Sequence, residues 1–329
     1  MILLDIKNLK ITFKTSSESL LAIDSISFHV DKGETVGVVG ETGSGKTITS
    51  LSVMRLLPSN AKISGEIFFN GSDLLKISEK EMDEIRGKKI SMIFQEPMTA
   101  FDPLYTVGTQ FSEVLFKHEN VSKLEAKKRS VEMLKLVGIP ESEKRFYQYP
   151  HEYSGGMIQR AMIALALLTN PELIIADEPT TGLDVTIQMQ VLNLIKRIQK
   201  TSNLSILFIT HDLGVISKMA NRIIVLYLGK IFEVGTVKDV IFSSIHPYTK
   251  GLISSVPTLK TVKYEKLYSI PGNVPSLKEI GEGCRFYSRC PIRMNICKEK
   301  DPQLLEYTKG HFAACWAANA DRNLVHSYE

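Results

Sequence analysis

Apolar and polar residues alternate through "LDIKNLKITF" (4–13), the period of a half-buried strand. "ISFHV" (26–30) and "ETVGVVG" (34–40) continue the pattern, so residues 1–39 read as strand-rich. "VGVVG" is an apolar run ending in glycine, as in a buried strand that enters a loop. "KISMIFQ" (89–95), "ELIIADEP" (172–179) and "LSILFIT" (204–210) read as further buried strands. Residues 75–90 are charged and helix-like, and residues 107–170 are mostly helical, with "KLEAKKRSVEMLKLVGI" as an amphipathic helix. "IQMQVLNLIKRIQK" also has helical period, and "RIIVLYLGKIFEVG" reads as two strands joined at a Leu-Gly-Lys turn. Strands that alternate with helices predict βαβ units and a mostly parallel sheet, hence an α/β fold. Near residue 240 the character changes to proline and glycine clusters such as "IPGNVPSLKEIGEG". A boundary there divides the chain into 1–240 and a small loop-rich domain, 241–329.

"GETGSGKT" runs from Gly40 to Thr47 between a predicted strand and a helix-capable segment. It fits G-x-x-x-x-G-K-[ST], the phosphate-binding P-loop. Gly40, Gly43 and Gly45, with Glu41, Thr42 and Ser44 between them, let backbone N–H groups turn toward phosphate oxygens. A following helix adds its positive end. Lys46 brings charge to the β- and γ-phosphates, and Thr47 offers a hydroxyl to Mg²⁺. Four apolar residues in "LIIADE" set a strand inside the sheet and deliver Asp177 to its C-terminal end, where it is placed to hold magnesium. Glu178 follows, placed to face an attacking water. An ATPase is the expectation, with Lys46 and Glu178 sensitive by at least the roughly 3–4 kcal/mol of one lost transition-state donor.

The ordered motifs resemble those of the ATP-binding cassette (ABC) ATPases. "HEYSGGMIQR" (151–160) is similar to that family's signature motif, although Met157 and Tyr153 stand where Gln and Leu are more usual. Gln95 resembles the Q-loop glutamine, Asp184 the D-loop aspartate and His211 the switch histidine. The resemblance implies a P-loop NTPase fold with antiparallel N-terminal strands and a helical subdomain at about 97–165. It implies a head-to-tail dimer in which Ser154, Gly155 and Gly156 of one subunit cap ATP held by the other. It also implies catalytic roles for Glu178, His211, Gln95 and Lys46, a magnesium role for Thr47, Gln95 and Asp177, and an adenine-stacking role for Phe13. "IFQEPMTAFDPLYTVG", "DEPTTGLDVTIQ", "HPYTKGLISSVP" and the tail narrow the resemblance to ATPase subunits of oligopeptide and dipeptide importers, nearer the D-type than the F-type. The implied partners are a second ATPase subunit, two integral membrane permease subunits and, indirectly, an extracytoplasmic binding protein. The implied location is the cytoplasmic face of the membrane. Nickel, sugar or antimicrobial-peptide importers share much of this tail, and ribosome- or nucleic-acid-associated ABC ATPases form a more distant alternative, as does a non-hydrolysing ATP-binding regulator.

Composition adds limits. In 329 residues, 43% are hydrophobic and 23% charged, which predicts a sizeable core. A net charge of +4 from 40 basic and 36 acidic residues is too weak for a nucleic-acid footprint, so no nucleic acid is expected as a partner. "MILLDIKNLKITF" does not read as a secretory signal, and no run approaches the roughly 18 apolar residues of a membrane span. All four cysteines fall late: Cys284, Cys290, Cys297 and Cys315, spaced C-x₅-C-x₆-C-x₁₇-C. In a reducing compartment such a set suggests a metal rather than disulfides, either zinc in a four-thiolate cage or an iron–sulfur cluster, with unliganded thiols as the third reading. The family resemblance implies a 4Fe–4S cluster with a structural role.

Overall fold

The computed structural model describes residues 1–15, 18–256 and 268–318. The first strands are β1 (Ile2–Lys14), β2 (Ser19–Asp31) and β3 (Thr35–Val39), followed by helix α1 (Lys46–Val53). Then come β4 (Ala61–Phe69), β5 (Ser72–Asp73), α2 (Glu79–Ile85) and β6 (Ile90–Ile93). A helical stretch holds α3 (Val107–His118), α4 (Lys123–Leu136), α5 (Ser142–Arg145) and α6 (Gly155–Leu167). It leads to β7 (Leu173–Asp177), α7 (Val185–Ser202), β8 (Ser205–Thr210) and α8 (Leu213–Met219). The chain continues with β9 (Arg222–Tyr227), β10 (Lys230–Thr236), α9 (Val237–Phe242) and α10 (Pro247–Ser254). Within residues 268–318 come α11 (Ile296–Glu299), β11 (Leu305–Thr308) and β12 (His311–Ala313).

These elements form two compact units. One comprises Met1–Leu3, Val30–Glu34 and Phe69–Phe208, and the other Leu4–His29, Thr35–Phe68 and Ile209–Glu329. In the first, β6 runs parallel to β7, from Ile90 opposite Leu173 to Ile93 opposite Ala176. Both strands are buried along their whole length, which is why they read as continuous apolar runs. Helix α2 starts with a reciprocal Ser78–Glu81 capping box, and Ser122 caps α4 by accepting from the Glu125 amide.

In the second unit β3 runs parallel to β9, from Val36 opposite Arg222 to Val39 opposite Val225. Strands β9 and β10 pair antiparallel across Leu228 and Gly229, whose φ angles of 44° and 76° make the tight reversal. The tail then adds to this sheet: β12 pairs antiparallel with β10 and β11 with β12, an extension hidden in sequence by the shortness of both strands. In β1 the buried residues switch from Leu4 and Ile6 to Leu9 and Ile11. Asn8, at φ 47°, supplies the extra residue that lets the inward alternation restart. It faces Gly65 of β4, where a Cβ would lie 2.5 Å from the Asn8 carbonyl oxygen. Strand β4 is an element that the apolar pattern of residues 1–39 did not extend to.

Helix α10 opens on Pro247, with the buried His246 side chain as its cap: Nδ1 accepts from the Tyr248 amide at 3.0 Å. Burial pushes this imidazole down to about 3, with the Lys250 charge acting in the same direction. The unfolded chain takes up the proton near the ordinary value of 6.5, and the folded chain does so only near 3. Stability is therefore full above pH 6.5 and is lost as the pH falls toward 3, at no more than about 1.4 kcal/mol per pH unit. Thermal melts between pH 7 and pH 4.5 should show this loss, and His246→Asn, which keeps a capping acceptor, should flatten it. Equal slopes in both proteins would remove His246 from the account.

Candidate nucleotide-binding site

Strand β3 is buried throughout and hands the chain to Gly40, where only glycine fits: a Cβ there would lie 2.1 Å from the Leu226 carbonyl oxygen. Gly45 caps α1 at φ 101°, another conformation that favours glycine. Nothing lies within 4 Å of a Cβ built on Gly43, and Thr42, Gly43 and Thr47 are exposed, so the loop has an open face. The first turn of α1 carries no acidic residue that would offset its positive end. Lys46 is only 6% exposed. Its Nζ donates to the carbonyl oxygens of Gly40 at 2.7 Å and Glu41 at 3.1 Å, and to Ser44 Oγ at 3.4 Å. The ammonium thus holds the loop closed over its own backbone. Phe13 and His211 belong to the same unit. Phe13 is half-buried near the end of β1, and His211 is exposed just after β8.

Gln95, Asp177, Glu178, Asp184 and the Ser154–Gly156 motif belong to the other unit. Asp177 ends β7 and is 2% exposed. Glu178 follows in the left-handed region, at φ 48°, which is rare for a residue with a long side chain. Its carboxylate accepts from Thr181 Oγ1 at 2.9 Å and from Gln95 Nε2 at 3.4 Å, so the structure brings Gln95 and Glu178 together. Ser154 is the exposed cap residue of α6. A Cβ on Gly155 would meet nothing within 4 Å, whereas one on Gly156 would press on Ile187 of α7 at 3.1 Å. The amides of α6 therefore start at an open surface. Tyr153 is buried and donates to the Arg145 carbonyl at 2.9 Å, which accounts for an aromatic at this position. Asp184 caps α7, accepting from the Thr186 and Ile187 amides at 3.0 Å each.

Sequence reading missed Gln159, Tyr248 and Arg289. Gln159, 1% exposed, donates to the Pro179 carbonyl and so ties α6 to the turn after Glu178. Its signal was a polar residue on the apolar face of α6. Glu41 forms a bidentate pair with Arg289 at 2.6 and 3.1 Å, and its amide donates to Tyr248 Oη at 2.9 Å. The signal there was a carboxylate inside an anion-binding loop, which calls for a cation, although nothing local says which.

The cysteine reading requires correction. Among the described residues, which include all four cysteines, no group of three or more His, Cys, Asp or Glu side chains is arranged to hold a metal ion. Neither the iron–sulfur cluster nor the zinc alternative at Cys284, Cys290, Cys297 and Cys315 is supported. The physical reason is packing. Burial pushes the Cys284 thiol up to about 12 and raises Cys290 and Cys315 as well. Cys297 and Cys315 are 7% exposed and pack as small apolar side chains, and the Cys284 amide donates to the Cys297 carbonyl at 2.8 Å. Among the described residues no helix is long and apolar enough to cross a membrane.

Comparison with known proteins decides the family. The oligopeptide transport ATP-binding protein OppD of Bacillus subtilis is 51% identical over 97% of this chain and 90% of its own length. The chain belongs to the ABC transporter family. The ABC transporter model matches residues 23–181, and the model for the oligopeptide/dipeptide transporter C-terminal region matches residues 232–297. Two other ABC transporter proteins are similar over most of the chain. OppD of Escherichia coli is 46% identical over 95% of this chain and 93% of its own length. The dipeptide transport protein DppD of Bacillus subtilis is 48% identical over 95% of this chain and 94% of its own. Among solved structures, a dimeric ATP-binding cassette in a post-hydrolysis state, bound to ADP and Pi, aligns with a TM-score of 0.64 at 29% identity. It covers 71% of this chain and 98% of that one. The fold is thus that of an ABC cassette, a P-loop ATPase with a mixed α/β sheet.

Proposed function

We propose that this chain is the ATP-hydrolysing subunit of a membrane importer for di- and oligopeptides. The observation that carries the reading is similarity along nearly the whole chain, tail included, to peptide-transport ATP-binding proteins. In this reading residues 40–47 bind the phosphates of ATP, with Lys46 moving from its own backbone acceptors to the β- and γ-phosphates. The glycine path that a Cβ would block and the open face at Gly43 support it. Phe13 takes the adenine. Thr47, Asp177 and Gln95 offer the hard oxygen donors that Mg²⁺ prefers. Bound Mg²⁺ neutralises charge on the terminal phosphates. Glu178 polarises the attacking water and His211 contacts the γ-phosphate. A second ATPase subunit supplies its Ser154, Gly155 and Gly156 to cap the nucleotide, and Asp184 lies at that junction.

Closure of two such subunits on ATP would drive two membrane permease subunits, with an extracytoplasmic binding protein delivering the peptide. The chain then sits on the cytoplasmic face of the membrane as a peripheral subunit. Leu104 and Tyr105, 78% and 50% exposed after Gln95, suit a contact with such a partner. A full swing between open and closed states needs about 5.5 kcal/mol of differential ATP binding.

The test is reconstitution with the permease subunits, the second ATPase subunit and the binding protein in vesicles. Peptide uptake that requires ATP, and phosphate release that rises with peptide, are the expected results. Phosphate release indifferent to a panel of di- to hexapeptides would overturn the cargo, and absence of phosphate release would overturn the enzyme.

A further inference from the structure

The P-loop contains one acidic residue, Glu41, and the structure holds it from three directions. Its carboxylate takes two hydrogen bonds from Arg289, at 2.6 and 3.1 Å. Its amide donates to Tyr248 Oη at 2.9 Å, and its carbonyl accepts from Lys46 Nζ at 3.1 Å. Two of the three partners come from beyond residue 240, and Arg289 lies 248 residues away in sequence. The Arg289 side chain is 4% exposed. Its other donors go to the carbonyls of Pro271 at 3.0 Å and Ile270 at 3.4 Å and to Tyr227 Oη at 3.3 Å. The guanidinium also lies 5.9 Å from the Tyr227 ring centre and 6.0 Å from that of Phe286. Arg289 is therefore fixed in place independently of Glu41, and it presents a two-pronged cation to the loop.

Two consequences follow for an anion-binding loop. An uncompensated carboxylate in the segment that cradles a triphosphate would repel it, and Arg289 cancels that charge. The same pair, with Tyr248, fixes the backbone of residue 41 and so the start of the turn whose later amides face the phosphates. We propose that Arg289 is a positioning residue for nucleotide binding: the tail neutralises and braces the phosphate loop through Glu41. The proposal rests on the reading that residues 40–47 bind ATP.

The test measures ATP affinity and KM in the assembled transporter. Arg289→Ala should weaken ATP binding about ten-fold or more, because it leaves Glu41 charged beside the phosphates. Adding Glu41→Gln to Arg289→Ala should recover a substantial part of that loss, and raising the salt concentration should narrow the deficit of the single variant. A purely structural anchor predicts neither recovery nor salt dependence. Arg289→Lys, which keeps the charge, should lie between wild type and alanine, and it serves if the alanine variant fails to assemble. ATP should slow amide hydrogen exchange at 284–290 in wild type and not in Arg289→Ala, since coupling between two sites is reciprocal. Lys46→Ala is the control. If it loses ATP while both Arg289 variants bind normally, the brace is wrong and the nucleotide site stands. If Lys46→Ala also binds ATP normally, the nucleotide site itself is wrong. A double variant no better than Arg289→Ala would overturn the electrostatic role.

Discussion

Glu178→Gln is expected to cut ATP turnover by roughly 10²–10³-fold while ATP still binds. The substitution keeps the size and most of the shape of the side chain. It removes the negative charge and the ability to accept a proton from water. The hydrogen bonds from Thr181 and Gln95 orient the carboxylate, and a glutamine amide can keep a carbonyl oxygen in the same position. The loss therefore reports chemistry and not collapse. The backbone offers a second test. Glu178 holds a φ of 48°, which costs a side-chain-bearing residue on the order of 1 kcal/mol and glycine much less. Glu178→Gly should melt no lower than wild type and still lose turnover, since strain retained at one position is a mark of function. Single-turnover phosphate release and a thermal melt, run on both variants, check the pair of expectations. Turnover within a few-fold of wild type in Glu178→Gln would remove Glu178 from the chemistry.

The candidate residues were nameable from sequence because their motifs are local. Gly40 to Thr47 are consecutive in sequence, from the end of β3 to the start of α1, and the apolar run before Asp177 marks a buried strand by itself. What stayed hidden was of two kinds. One kind is non-local: no spacing rule joins Glu41 to Arg289 or Gln159 to Pro179, because the fold alone brings them together. The other kind is environmental. The left-handed backbone of Glu178 has no signature in a Glu-Pro dipeptide. The cysteine reading failed similarly, because number and spacing carry no information about burial. In this fold Cys297 and Cys315 are buried among apolar side chains. The same limit applies to the tail: its prolines and glycines suggested loops, and the pairing of β12 with β10 depends on a partner strand some 80 residues earlier.

That pairing centres on Glu233, and Glu233→Leu is expected to destabilise the unit by about 3–5 kcal/mol. Glu233 lies on β10 opposite Ala313 of β12 and is 0% exposed. One carboxyl oxygen accepts from the Ile245 amide at 2.8 Å and the other from the His246 amide at 2.9 Å. His311 Nε2 lies 2.8 Å from the first oxygen. One side chain thus ties β10 to β12 and to the turn that starts α10, the helix carrying Tyr248 to the P-loop. Leucine fills a similar volume but leaves two buried amides and an imidazole without their acceptor, at roughly 1–3 kcal/mol each before relaxation. Glutamine retains one acceptor and should lose about half as much. A fall in melting temperature of roughly 10 °C for Glu233→Leu follows if each kcal/mol shifts the midpoint by about 2–4 °C. Faster hydrogen exchange at the Ile245 and His246 amides should precede global unfolding, because those groups lose their partner directly. Because α10 supplies the Tyr248 hydroxyl to Glu41, the variant should also weaken ATP binding at temperatures well below its melt. A Glu233→Leu protein with the melting point and the ATP affinity of wild type would show that the tail stands apart from the phosphate loop.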